Sequence, residues 1–132
     1  MFSEESAKLG VTYPKGFQAA GVKAGIKKSG NLDVAVICSD REAAVAGTFT
    51  KNAVAAAPVH VSKVVVATHT ARAIVANAGC ANACTGAQGE ADAAAMQKIA
   101  ADALGCGAQD VIVASTGIIG QLLPMDKVEK GI

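Results

Sequence analysis

The sequence predicts a mixed fold of the α/β (α+β) class, and three observations carry that expectation. Asp33–Ser39 (DVAVICS), Arg72–Ala76 (RAIVA) and Asp110–Ala114 (DVIVA) are short runs of β-branched and aliphatic residues, as buried strands require. Between the second and third runs, Ala93, Met96, Ile99, Ala100, Ala103 and Leu104 recur at intervals of three and four residues, which is one apolar stripe of an amphipathic helix. Strands therefore precede and follow helices along one short chain.

Taken in order, residues 1–14 are polar, close at Pro14 and read as a lead-in segment to a domain over 15–132. Residues 15–28 (KGFQAAGVKAGIKK) space Phe17, Val22 and Ile26 with Gly and Ala, suggesting short strands and turns. Ser29-Gly30-Asn31 marks a turn before the strand at 33–39. Val45–Thr50 (VAGTFT) alternates and reads as the hairpin partner of that strand. Pro58–Val61 and Lys63–Ala67 are rich in Val and are expected to be extended. The helix is expected over 86–104. Thr85-Gly86-Ala87-Gln88 fits a capping box, and Gly105 and Gly107 can end the helix in a left-handed turn. At ~1.5 Å per residue it spans roughly 28 Å. A last short helix, Met125–Lys130, follows Pro124, a residue suited to a first turn.

Composition narrows the function classes. Apolar residues form 52% and charged residues 17% of the 132 positions, which excludes a disordered tail. The net charge of +1 comes from scattered Lys and Arg, and Trp is absent, so neither the electrostatic footprint nor the stacking surface of a nucleic-acid binder is present. Ala (29) and Gly (14) fill about a third of the chain, so each residue buries little area, and the core is expected to be finished against another segment or chain. No apolar run reaches the ~18 residues of a membrane span. The start, MFSEE, has acids where a secretory leader needs bases, so a cytoplasmic location is expected. Cys38, Cys80, Cys84 and Cys106 lack the spacing of a zinc site and read as reduced, buried thiols; no metal site is expected.

Two segments could carry chemistry. Residues 77–86 (NAGCANACTG) join a strand to the long helix with almost only small side chains, so either a ligand or a neighbouring backbone could approach closely. It is neither a dinucleotide fingerprint nor a phosphate loop. The second segment, Ala114-Ser115-Thr116-Gly117-Ile118-Ile119-Gly120, sets hydroxyls beside a glycine amide at the end of a strand. Such donors can converge on a developing oxyanion, or a hydroxyl can simply cap a following turn.

Four stretches in this order, KGFQAAGVKAGIKKSG (15–30), GTFTKNAVAAAPV (47–59), NAGCANACTGAQG (77–89) and VIVASTGIIGQLLPMDKVEKGI (111–132), resemble the N-terminal α-chain part of the ornithine acetyltransferase (glutamate N-acetyltransferase) family of arginine biosynthesis. The resemblance covers 15–132 and implies an αββα sandwich of the type shared with self-processing aminopeptidases, present here as its N-terminal portion. It implies acetyl transfer from N-acetylornithine to glutamate through an acyl-threonine, without a cofactor, although acetyl-CoA is a possible co-substrate. The family's oxyanion hole maps onto Thr116 and Gly117. The family's nucleophilic Thr is freed by self-cleavage in a segment that has no counterpart here, so the implied partners are the remaining α-chain segment and the β chain, in an α2β2 assembly. Two other readings stand beside this one: a catalytically inert structural fragment, and a related self-processing amidase or aminopeptidase. Ala78 and Cys80 stand where the family more often has Ser and Asn.

Overall fold

The computed structural model describes residues 10–132; residues 1–9 of the expected lead-in lie outside the described residues, and Gly10–Thr12 forms a single 3-10 turn. Four strands follow: β1 (Phe17–Val22), β2 (Val34–Ala44), β3 (Thr70–Cys80) and β4 (Val111–Ile118). Three helices accompany them: α1 (Ala57–Val66), α2 (Gly86–Leu104) and α3 (Met125–Gly131). The strands make one sheet in the order β1-β2-β3-β4, with β1/β2 and β2/β3 antiparallel and β3/β4 parallel. A parallel pair needs a long crossover, and α2 supplies it.

Two expectations are corrected. Residues 58–66 are helical, not extended, with Ala67 the C-cap: Pro58 stands in the first turn of α1, where its missing N–H costs nothing, and Pro58, Ser62 and Val65 fall on one buried face at helical spacing. Tertiary burial of that face outweighs the strand preference of its valines. Val45–Thr50 is not a strand. The antiparallel partners of β2 are β1 and β3, with an irregularity in the β2/β3 register between Cys38 and Ala43.

The 86–104 helix has the expected bounds, and Gly105 ends it in the left-handed conformation (φ 65°). Its capping box does not form. Thr85 donates its hydroxyl to Asn82 Oδ1 (2.7 Å), and Gln88 donates to Asp92 Oδ1 (2.8 Å). On α2, Ala93, Met96 and Ala100 are fully buried, while Ala103 lies on the exposed side.

Strand alternation sorts the sheet into two faces. Ala73 and Val75 of β3 and Val111 and Val113 of β4 point to the helices and form the core with Met96, Ala100, Leu123 and Val128. Burying a side chain such as Met96 stabilises the fold by ~1.5–3 kcal/mol. The outer edge of β4 is closed by α1: Ser62 Oγ donates to Val113 O (2.6 Å) and accepts from Val113 N–H (3.0 Å). An uncovered edge would offer those groups to another strand.

The opposite face carries no helix among the described residues. By register, Phe17 and Ala19 of β1, Ala35 and Ile37 of β2, Ile74 and Ala76 of β3, and Ile112, Ala114 and Thr116 of β4 share it. Phe17 and Ile74 are each 38% exposed there. One β layer and one α layer are therefore present among the described residues.

Candidate functional site at the end of strand β4

The 77–86 segment is chiefly a structural connection. Asn82 is fully buried, its side-chain amide donates to Gly89 O (2.8 Å) and its carbonyl O accepts the Ala57 N–H (3.3 Å). Gly89 leaves room for this, because a Cβ there would overlap Asn82 Oδ1 and Thr85 Oγ1. Asn82 thus ties the start of α2 to the start of α1. Asn82 (φ 48°) and Cys84 (φ 57°) take the left-handed angles that the turn requires. The thiols divide: Cys80 is buried and directs its S–H to Gln121 O (3.2 Å), Cys38 and Cys106 are half-buried, and Cys84 is exposed, against the expectation of burial.

Alternation separates the two hydroxyls that the sequence sets side by side. Ser115 is the register partner of Asn77 and lies on the helix side, where Ser115 Oγ and Asn77 Oδ1 are buried without a protein partner. Thr116 lies on the open face. It lines a shallow recess of about 250 Å³ with Gly21, Leu32, Ala35, Ala76 and Ala78.

The amide of Gly117 has a defined direction. Within a strand, backbone N–H and C=O groups alternate between the two sides. Val113 turns its pair outward to Ser62, and Ile118 turns its carbonyl inward to the Ala81 N–H (2.9 Å). Gly117, four residues beyond Val113, therefore points its N–H away from β3. Thr116 on the open face and Gly117 at the sheet edge are therefore adjacent at one corner of the sheet.

Gly117 is held there by a close backbone approach. It pairs in register with Gly79, and both have positive φ (134° and 112°). A Cβ on Gly117 would collide with the Gly79 carbonyl carbon, so no side chain fits. The sequence places Gly79 and Gly117 in its two candidate segments but does not pair them. Only the strand pairing reveals that one glycine backs the other.

An α+β sheet with one helical layer, one bare face and a hydroxyl–amide pair at the corner defines the class of domain. This chain belongs to the ArgJ family, whose model matches residues 18–132. It is 48% identical over 119 residues to the arginine biosynthesis bifunctional protein ArgJ of Rhodopirellula baltica, covering 90% of this chain and 29% of that one. It is 50% identical over 125 residues to the ArgJ protein of Streptomyces coelicolor, covering 94% and 33%. The crystal structure of ornithine acetyltransferase complexed with ornithine from Mycobacterium tuberculosis superposes with a TM-score of 0.90 at 50% identity, covering 92% of this chain and 66% of that chain. The crystal structure of the ArgJ protein from Bacillus halodurans gives 0.87 at 38% identity, covering 91% and 63%. The chain spans about a third of the length of the curated relatives it matches.

Proposed function

We propose that this chain forms the N-terminal part of an acyltransferase that moves an acetyl group from N-acetylornithine to glutamate in arginine biosynthesis. In this reading Thr116 Oγ–H and the Gly117 N–H make the oxyanion hole. The attacking group is a threonine on a segment outside these residues, released by self-cleavage, and its own amine serves as base for its hydroxyl. Attack on the acetyl carbonyl forms the C–O bond and pushes the carbonyl electrons onto oxygen. Thr116 and Gly117 donate to that oxygen. The tetrahedral centre then collapses, ornithine leaves with a proton on its nitrogen, and glutamate takes the acetyl group from the enzyme in a second, mirrored step.

The observation that carries this reading is the corner itself: Thr116 lining a recess on the bare face, followed at the sheet edge by Gly117, which is set against Gly79. Membership of the ArgJ family supports the reaction class. The bare apolar face supports a remaining α-chain segment and a β chain as the partners that complete the sandwich, and it supports an isolated chain that is inactive. None of the helices among the described residues is long and apolar enough to cross a membrane.

The test is Thr116→Ala in the complete enzyme, followed by steady-state acetyl transfer. Losing one oxyanion donor costs ~10²–10³ in turnover, about 2.7–4 kcal/mol, so kcat falls by that factor while KM moves little. A kcat that stays within about threefold of the parent withdraws the oxyanion role.

A further inference from the structure

The corner at Gly117 is supported from behind by a buried carboxylate that lies far from it in sequence. Asp33 is only 3% exposed. Its Oδ1 accepts the Ala24 N–H (2.7 Å), and its Oδ2 accepts the N–H groups of Gly25 (3.1 Å) and Lys27 (2.9 Å). Burial works against its charge, but the backbone N–H groups of Lys27, Ala24, Ile26 and Gly25 outweigh that and hold the carboxyl below its ordinary range. An ionised carboxylate thus gathers the loop between β1 and β2 around itself. The Lys127 ammonium adds a bond to Gly25 O (2.8 Å).

The gathered loop presses on β3 at one point. A Cβ on Gly79 would meet Lys27 Cγ at 2.9 Å and Ile26 Cγ2 at 3.0 Å. On its other side Gly79 meets Gly117 with no side chain between them. Asp33 also binds the strand directly, since its own carbonyl accepts the Ala78 N–H (2.8 Å). The loop, Gly79 and Gly117 are therefore three successive layers in contact, and Asp33 holds the first two together.

We propose that Asp33 is a positioning residue for acyl transfer: by clamping residues 24–27 onto Gly79, it fixes the backbone against which the Gly117 amide is set. The inference rests on the oxyanion reading of Thr116 and Gly117. It adds a residue that touches neither substrate nor the reacting atoms. Replacing the carboxylate by an amide turns an N–H₂ group toward backbone donors, which loosens the clamp while keeping the size of the side chain.

The experiment compares the parent enzyme, Asp33→Asn, Thr116→Ala and the double variant, all in the complete protein, by acetyl transfer from N-acetylornithine to glutamate. A displacement of a fraction of an ångström at the amide lowers kcat by about tenfold in Asp33→Asn, with KM within about twofold. Because Asp33 acts through the Gly117 amide, which Thr116→Ala leaves in place, Asp33→Asn also slows the Thr116→Ala enzyme, again in kcat and not in KM. A parent-like kcat in Asp33→Asn, or a KM that rises as much as kcat falls, overturns the positioning role. If Thr116→Ala is slow and Asp33→Asn is not, the Asp33 role falls and the oxyanion hole stands. If Thr116→Ala is as fast as the parent, the oxyanion hole falls and the Asp33 role falls with it. Should Asp33→Asn fail to fold, Ile26→Ala keeps the carboxylate and removes one of the two side-chain contacts on Gly79. The same split between kcat and KM, at smaller size, supports the clamp, and its absence overturns it.

Discussion

The two faces of the sheet differ in what they are built to meet. On the helix side, Val75, Val111 and Val113 interlock with Met96, Ala100 and Val128, and every one of these is buried. On the other side, Phe17, Ile37, Ile74 and Ile112 form a surface of comparable apolar character with no helix over it. A sheet that presents aliphatic residues to both sides is built for coverage on both. The proposed oxyanion pair belongs to the uncovered side, at the rim where Thr116 and Gly117 meet. The closed face supplies rigidity, and in the proposed function the open face is where a second layer and its nucleophile arrive.

The largest effect that tests this contrast is on the closed face. Met96→Ala removes a fully buried side chain and is expected to destabilise the chain by ~2–5 kcal/mol, read as a lower denaturant midpoint. Ile74→Ala on the open face is expected to cost within about 0.5 kcal/mol in this chain alone. In the complete protein it is expected to cost several times more. An equal, small cost in both settings means that nothing covers this face.

A second variant probes the closed edge. Ser62→Ala leaves both backbone groups of Val113 without their partner in a buried site and is expected to cost about 1–3 kcal/mol. Hydrogen exchange at the Val113 amide should quicken with it; unchanged protection would mean that α1 does not close this edge. The smallest effect belongs to the surface contact between α1 and α2. His60 Nδ1 and Glu90 Oε1 lie 2.7 Å apart, both about half exposed. Glu90→Gln is expected to change stability by less than about 1 kcal/mol, and a larger loss would show that this contact, not the buried Asn82 link, joins the two helices.

The helix side was readable because its signals are local. Ala93, Met96 and Ala100 follow one another at helical spacing, and Gly105 supplies the one residue type that enters the left-handed region without strain. The strand at 33–39 was legible in the same way, although β2 runs on to Ala44. Helix α1 was not read. Val59, Val61, Val64, Val65 and Val66 prefer strands one by one, and only the spacing of Pro58, Ser62 and Val65 on a buried face decides for a helix. The capping box failed for a related reason: Thr85 had a buried competitor, Asn82, for its hydroxyl.

The sequence by itself determined that this is a mixed α and β domain, where its long helix begins and ends, and which segments form most of its strands; it did not show that β4 runs past Ala114 to Ile118, with Thr116 and Gly117 inside the strand. Periodicity and turn chemistry act over a few residues, so they can be read along the chain. The tertiary structure alone decided that Thr116 rather than Ser115 faces the open side, that Gly79 lies against Gly117, and that Asp33 reaches the loop behind them. Those facts depend on the register of paired strands, and register is set by burial of one whole face against distant residues.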